Sequence, residues 1–174
     1  GGGKTMCMIT DALNQFEDGN KTLVVVAPRI LLAEQLSTEF MEVIERQFND
    51  VSMMHVHSGK FKNIFSSTKP DVIRAFTEVS TDNQIIFTTY HSLHKIQESG
   101  IFVDTIYYDE AHNSVQRNFV EAVDYFSLTH NAARCFYFTA TPKHSLTPMR
   151  VGMNDSDIFG EVIYNVPAPE LVEQ

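Results

Sequence analysis

Apolar positions along this chain follow two rhythms. Thr22–Ala27, Gln84–Thr88, Thr105–Tyr108 and Cys135–Phe138 are short runs, apolar through their centres. Such runs read as strands buried on both faces of a parallel sheet. Val51–Val56 alternates weakly and reads as one more strand. The stretches between them carry helical spacing. Thr5–Phe16 predicts a helix stopped by Asp18-Gly19-Asn20. Ile30–Phe48 puts Leu32, Leu36, Phe40, Val43 and Phe48 close to one stripe. Asp71–Val79 gathers Val72, Phe76 and Val79 on one face, with Pro70 as a start signal. Val115–Phe126 predicts a helix between the last two strands. Ser58–Lys69 and Ser145–Asp157 read as polar loops, the latter with Pro148 and Gly152. Strands alternating with helices predict an α/β fold: a mostly parallel sheet with helices on both faces. No internal repeat interrupts it.

Composition narrows the picture only a little. A chain of 174 residues suits one domain with a sizeable core. Its 43% hydrophobic and 20% charged residues are those of an ordinary globular protein. No apolar run approaches the ~18 residues that would span a bilayer, so no membrane partner is expected. Cys7 and Cys135 do not form a metal-type pair, and two cysteines so far apart point to a reducing cytoplasm. The net charge of −9 is awkward for a nucleic-acid binder, whose usual footprint is basic. Contacts to nucleic acid would have to come from backbone amides, a few local side chains or another part of the protein.

Candidate chemistry sits at two places far apart in the chain. Gly1-Gly2-Gly3-Lys4-Thr5 opens it. Gly3-Lys4-Thr5 supplies the last three positions of G-x-x-x-x-G-K-[ST], whose first glycine would precede residue 1. In that pattern glycine N–H groups curl around phosphate oxygens, and lysine reaches the β- and γ-phosphates. The Thr5 hydroxyl ligates Mg²⁺, and the helix it opens points its positive end at the phosphates. The bland alternative is a flexible glycine-rich linker. The second place is Tyr107-Tyr108-Asp109-Glu110-Ala111-His112, an apolar run feeding into adjacent carboxylates and a histidine. A strand end that presents Asp-Glu can hold Mg²⁺ and position an attacking water in a P-loop ATPase. Its bland alternative is a solvated strand end.

Val24–Arg29 ends a strand in Pro-Arg and runs into Leu31-Leu32-Ala33-Glu34-Gln35, and Phe136–Pro142 ends one in Thr-Ala-Thr-Pro. With these, the chain resembles superfamily 2 helicases and translocases of the DEAD/DEAH-box branch. Gly3-Lys4-Thr5 resembles the end of their motif I, Ala27–Gln35 motif Ia, and Thr88–Leu93 the T-Y-x-S-L stretch around motif Ib. Asp109–His112 matches motif II, and Thr139-Ala140-Thr141 resembles motif III. Within the superfamily the likeness is to restriction-enzyme-like helicases. It rests on Thr68–Phe76, similar to a T-x-P-x-x-I-x-x-F helix, and on Phe159–Tyr164, similar to a closing F-G-x-x-x-Y element.

The resemblance implies that residues 1–174 form the first RecA-like, ATP-binding domain of a helicase or translocase. A second RecA-like domain would follow in the same chain, with Pro167-Ala168-Pro169 as the exit toward it. ATP and Mg²⁺ would be the cofactors, and nucleic acid, DNA rather than RNA, the partner. Gly1, Gly2, Gly3, Lys4 and Thr5 would cradle the nucleotide, and Thr5 and Asp109 would hold the metal. Glu110 would orient or deprotonate the water. Lys4, Asp109 and His112 would complete the catalytic set, with His112 sensing the γ-phosphate. Thr139, Ala140 and Thr141 would couple hydrolysis to strand movement. Arg29, Thr89 and Tyr90 follow strands and would contact the nucleic-acid backbone, although Arg29 stands where many relatives have threonine. The segment alone is expected to hydrolyse ATP poorly. The strand leading into the phosphate loop belongs inside the sheet, so its absence should leave neighbouring strand edges unpaired.

Other readings remain open at this stage. One is a motor subunit of a restriction-type enzyme that translocates on duplex DNA without unwinding. Another is a P-loop phosphotransferase or GTPase, which does not need the Asp-Glu-Ala-His tetrad or the Thr-Ala-Thr turn. A third is a nucleotide-gated scaffold, against which the intact Lys4, Thr5, Asp109 and Glu110 stand. His55-x-His57 and His91-x-x-His94 invite a metal reading. No further ligand stands at suitable spacing, so strand and turn positions are expected for the first pair. Ser58-Gly59-Lys60 has no glycine-rich lead-in and is not a second phosphate loop.

Overall fold

A computed structural model describes residues 2–59, 64–79, 82–126, 132–139 and 161–164. The order of elements is α1 (Gly2–Phe16), β1 (Thr22–Ala27), α2 (Ile30–Ile44), β2 (Ser52–Val56), α3 (Pro70–Val79), β3 (Gln84–Thr89), α4 (Leu93–Ser99), β4 (Val103–Asp109), α5 (Arg117–Tyr125), β5 (Ala132–Thr139) and β6 (Glu161–Tyr164). A 3-10 turn, Ala111–Val115, lies between β4 and α5. The strands form one six-stranded sheet in the order β2-β3-β1-β4-β5-β6. Every neighbouring pair is parallel.

Each apolar run presents alternate residues to opposite faces, so the sheet carries two cores. Val24, Val26, Met54, Val56, Ile86, Ile106 and Tyr108 face one of them, with Ile73 of α3, Leu93 and Ile96 of α4, and Phe119 and Val123 of α5. Leu23, Val25, Ala27, Ile85, Phe87 and Tyr107 face the other, with Met8, Ile9, Ala12 and Phe16 of α1 and Leu36, Phe40 and Ile44 of α2. Burying one such side chain stabilises by roughly 1.5–3 kcal/mol. Because both faces are covered, β3 can be buried at all six positions.

The chain runs outward from β1 to the β2 edge through α2, then back across the sheet through α3, α4 and α5. Right-handed crossovers place outward and returning helices on opposite faces, and the two cores divide them accordingly. β1 sits between β3 and β4, where the order reverses. The carboxyl ends of β1, β2, β3, β4 and β5 line one edge, the usual place for a ligand in such sheets.

Several boundaries differ from the sequence expectation. α2 stops at Ile44, yet Phe48 still packs on the core and meets the Phe16 ring edge-on at 5.9 Å. Its place in the apolar stripe recorded burial after a turn, not helix. The predicted helix Val115–Phe126 is divided by Gln116, which is extended at φ −67 and ψ 142. α4 went unpredicted because it has only seven residues. Leu93, Ile96 and the left-handed Gly100 at φ 74 were its available signals. Asp18-Gly19-Asn20 ends α1 as expected, with Gly19 and Asn20 both at positive φ. The far edge of β5 is paired with β6 from Phe136↔Glu161 to Thr139↔Tyr164. The expected loop Ser145–Asp157 and the exit at Pro167-Ala168-Pro169 lie outside the described residues.

Candidate nucleotide-binding site

Lys4 lies in the first turn of α1, and α1 is tied to β4 and β5 by a part-buried polar cluster. Tyr107 donates its hydroxyl hydrogen to Asp11 Oδ2. Gln15 donates to Asp11 Oδ2 at 2.7 Å and to the Tyr107 oxygen at 3.2 Å, and Thr105 donates to Gln15 Oε1 at 2.8 Å. Arg134 of β5 pairs with Asp11 Oδ1 at 3.1 Å. Burial, and then the Asp11 carboxylate, push the Tyr107 phenol upward, so it remains a donor. No short motif announces this cluster. Asp11 and Gln15 share one helix face, and their partners are 90 or more residues away.

So placed, Lys4 Nζ stands 3.4 Å from both Asp109 Oδ1 and Glu110 Oε2. Burial raises the Asp109 carboxyl above its ordinary range, Lys4 opposes that, and Glu110 adds to it. Two adjacent carboxylates, one of them largely buried, are eased by a cation between them, and Lys4 supplies one. Glu110 adopts φ 50 and ψ 56, a left-handed conformation rare for a residue with a Cβ. Backbone of that kind costs about 1–3 kcal/mol and collects at functional sites. His112 Nδ1 lies 3.7 Å from Glu110 Oε1 and 3.2 Å from Thr139 Oγ1, joining the end of β4 to the end of β5.

The structure therefore brings Gly3, Lys4, Asp109, Glu110, His112 and Thr139 to one place. Gly2 opens α1, and Thr5 is half-buried in its first turn. The donor set suits a magnesium ion: a largely buried carboxylate that already attracts a cation, with a threonine hydroxyl beside the lysine. Gly1, Ala140 and Thr141 lie outside the described residues. Arg29 is exposed at the end of β1, extended at φ −143 and ψ 154. Thr89 and Tyr90 are 3% and 2% exposed, so neither presents its side chain at the surface. Tyr90 turns inward and donates to the Asp109 carbonyl at 2.8 Å.

The histidine pairs do not form a metal centre, and among the described residues no group of three candidate ligands does. His55 and His57 are buried and bonded to each other, Nδ1 to Nε2, at 2.9 Å. Gly59 donates its N–H to His57 Nδ1 at 3.1 Å. His91 meets the Phe119 ring edge-on at 4.9 Å. Among the described residues no helix is long and apolar enough to cross a membrane.

Solved structures that share this fold include two restriction-modification enzymes. A nuclease-deletion mutant of the Type ISP restriction-modification enzyme LlaGI, in complex with a DNA substrate mimic, matches with a TM-score of 0.66 at 22% identity. The match covers 93% of this chain and 17% of that one. The ATP-dependent Type ISP restriction-modification enzyme LlaBIII, bound to DNA, matches with a TM-score of 0.66 at 21% identity, over 93% of this chain and 13% of that one. The chain thus spans less than a fifth of either enzyme. No curated protein matches it. The family described as type III restriction enzyme, res subunit, matches residues 1–144. An α/β sheet with a lysine seated between two carboxylates at its carboxyl edge thus accompanies a family match over most of the length, and the chain belongs to the type III restriction enzyme res-subunit family.

Proposed function

We propose that this chain is the first RecA-like, ATP-hydrolysing domain of a motor that moves along DNA. The observation that carries the reading is the position of Lys4, 3.4 Å from Asp109 and from Glu110 at the carboxyl edge of the sheet. Lys4 is a cation between two carboxylates that would exchange them for phosphate oxygens. Asp109 and the Thr5 hydroxyl would hold a magnesium ion, whose charge, when bound, offsets that developing on the phosphates. Glu110, released from Lys4, accepts the proton of the attacking water. Its partly exposed carboxylate and its fixed backbone suit that role. His112, between Glu110 and Thr139, passes a change at the carboxylate to the end of β5, where coupling to movement would begin with Thr139 and continue through Ala140 and Thr141.

For DNA, Arg29 is an exposed cation at the same edge. Thr89 ends β3 and Tyr90 begins the turn after it, so with both side chains buried they could offer DNA only backbone groups. With a net charge of −9 the domain has no general attraction for phosphate, so contacts must be local. A partner RecA-like domain in the same protein would complete the site. The Type ISP enzymes that share the fold are bound to DNA or a DNA mimic, which supports DNA as the partner. Translocation on duplex DNA without unwinding is the alternative to strand separation, and triplex displacement by the complete protein, with or without release of a strand from a forked duplex, distinguishes the two.

Glu110→Gln tests the chemistry. The amide keeps the shape but cannot take the proton. In the complete protein this variant should bind ATP as the wild type does and lose hydrolysis by about a hundredfold or more. Equal turnover by the two proteins would refute the assignment.

A further inference from the structure

We propose that Tyr90 and Asn113 are positioning residues that hold the backbone of Glu110 in its left-handed conformation from both sides. The inference rests on Glu110 as the residue that acts on the attacking water, and it concerns how that carboxylate is aimed. A residue at φ 50 and ψ 56 persists only where its surroundings impose it. Two peptide planes flank Glu110, and each is tied. On the amino side, the Asp109 carbonyl accepts the Tyr90 hydroxyl at 2.8 Å. The N–H of the same peptide serves the Asp109 carboxylate. On the carboxyl side, the Glu110 carbonyl accepts both the backbone N–H and the side-chain Nδ2 of Asn113, each at 3.0 Å. Turning Glu110 toward ordinary helical or extended backbone would rotate these planes and break the bonds.

Tyr90 is itself held firmly enough to serve. Its ring lies 6.0 Å from that of Tyr108 and 5.5 Å from that of Phe119. Its backbone N–H donates to the Ala27 carbonyl at 3.2 Å. One residue therefore ties the carboxyl ends of β1, β3 and β4 together. A phenol is protonated near neutral pH, so the Tyr90 hydroxyl is the donor to that carbonyl. The Tyr90 side chain thus faces the hydrolytic residue and not a nucleic-acid strand.

The test uses Tyr90→Phe and Asn113→Ala in the complete protein. Phe keeps the stacked ring and removes only the donor. Asn113 is half-buried, so its variant folds even if Tyr90→Phe does not. ATP affinity should stay within about twofold of wild type, while kcat falls about tenfold in each, the order expected for one lost hydrogen bond to a buried carbonyl. The double variant should lose less than the product of the two, because both act on one backbone conformation. A fold merely loosened by the substitutions would weaken ATP binding in step with kcat. Unchanged kcat in both variants, or parallel losses in affinity and kcat, would overturn the proposal. Amide hydrogen exchange across residues 110–113 needs no turnover. It should quicken in both variants, and unchanged exchange would overturn the proposal even if the wild-type protein hydrolysed nothing. Absence of wild-type hydrolysis would count against the ATPase reading alone.

Discussion

Lys4→Ala in the nucleotide-free protein should destabilise the fold at neutral pH and do so less in acid. Lys4 and Asp109 are 16% and 13% exposed in their side chains, with nitrogen and oxygen 3.4 Å apart. At an effective dielectric constant near 20, charges at that distance attract by about 5 kcal/mol. Desolvating the ammonium offsets part of this, leaving about 2 kcal/mol for the pair. The Glu110 contact is discounted because that carboxylate is 36% exposed and screened. For a domain of this size 2 kcal/mol corresponds to a fall of roughly 4–8 °C in Tm. The sign with pH follows from Asp109. Its folded pKa already lies above the ordinary value because of burial, and Lys4 is what restrains it. Without Lys4 it rises further, so the variant is penalised where Asp109 is ionised and relieved as pH falls and the carboxyl takes up its proton. Melting curves of wild type and variant at pH 7.5 and near pH 5 measure the gap. A gap that stays constant or widens in acid would show that Lys4 does not stabilise the fold through Asp109.

Two further outcomes follow from the structure. Burial lowers the His55 pKa to about 4, with the neighbouring His57 a second cause. A base depressed in the folded state loses stability as pH falls from about 6.5 toward that value, so wild type should weaken across this window by up to about 3 kcal/mol, and His55→Phe should show a shallower slope in denaturant titrations. Arg29→Ala in the complete protein should weaken DNA binding alike on all sequences and lower the salt slope by about one; an unchanged slope would remove Arg29 from the interface.

The sequence alone determined what is local. Apolar runs such as Thr22–Ala27 and Gln84–Thr88 had to be strands buried on both faces, since no polar face exists in them to meet water. Asp18-Gly19-Asn20 had to end a helix, because it accepts backbone that other residues resist. Gly3-Lys4-Thr5 and Asp109–His112 declared their chemistry because each motif works through neighbours in the chain. Only the tertiary structure decided which strands stand side by side. The placement of β1 between β3 and β4 is what brings Lys4 to a carboxylate 106 residues away. Nothing in an apolar run encodes its neighbour, since any parallel partner buries it equally well. Strand order is set by crossover handedness and by how all the helices pack together. The same holds for polar groups inside. Tyr90 read from the sequence as a contact to the nucleic-acid backbone until its hydroxyl was seen on the Asp109 carbonyl. His55 and His57 found each other, and Asp11 found Tyr107 and Arg134. A buried polar atom takes whatever partner the packed chain brings within 3 Å or so, and that partner is a property of three dimensions.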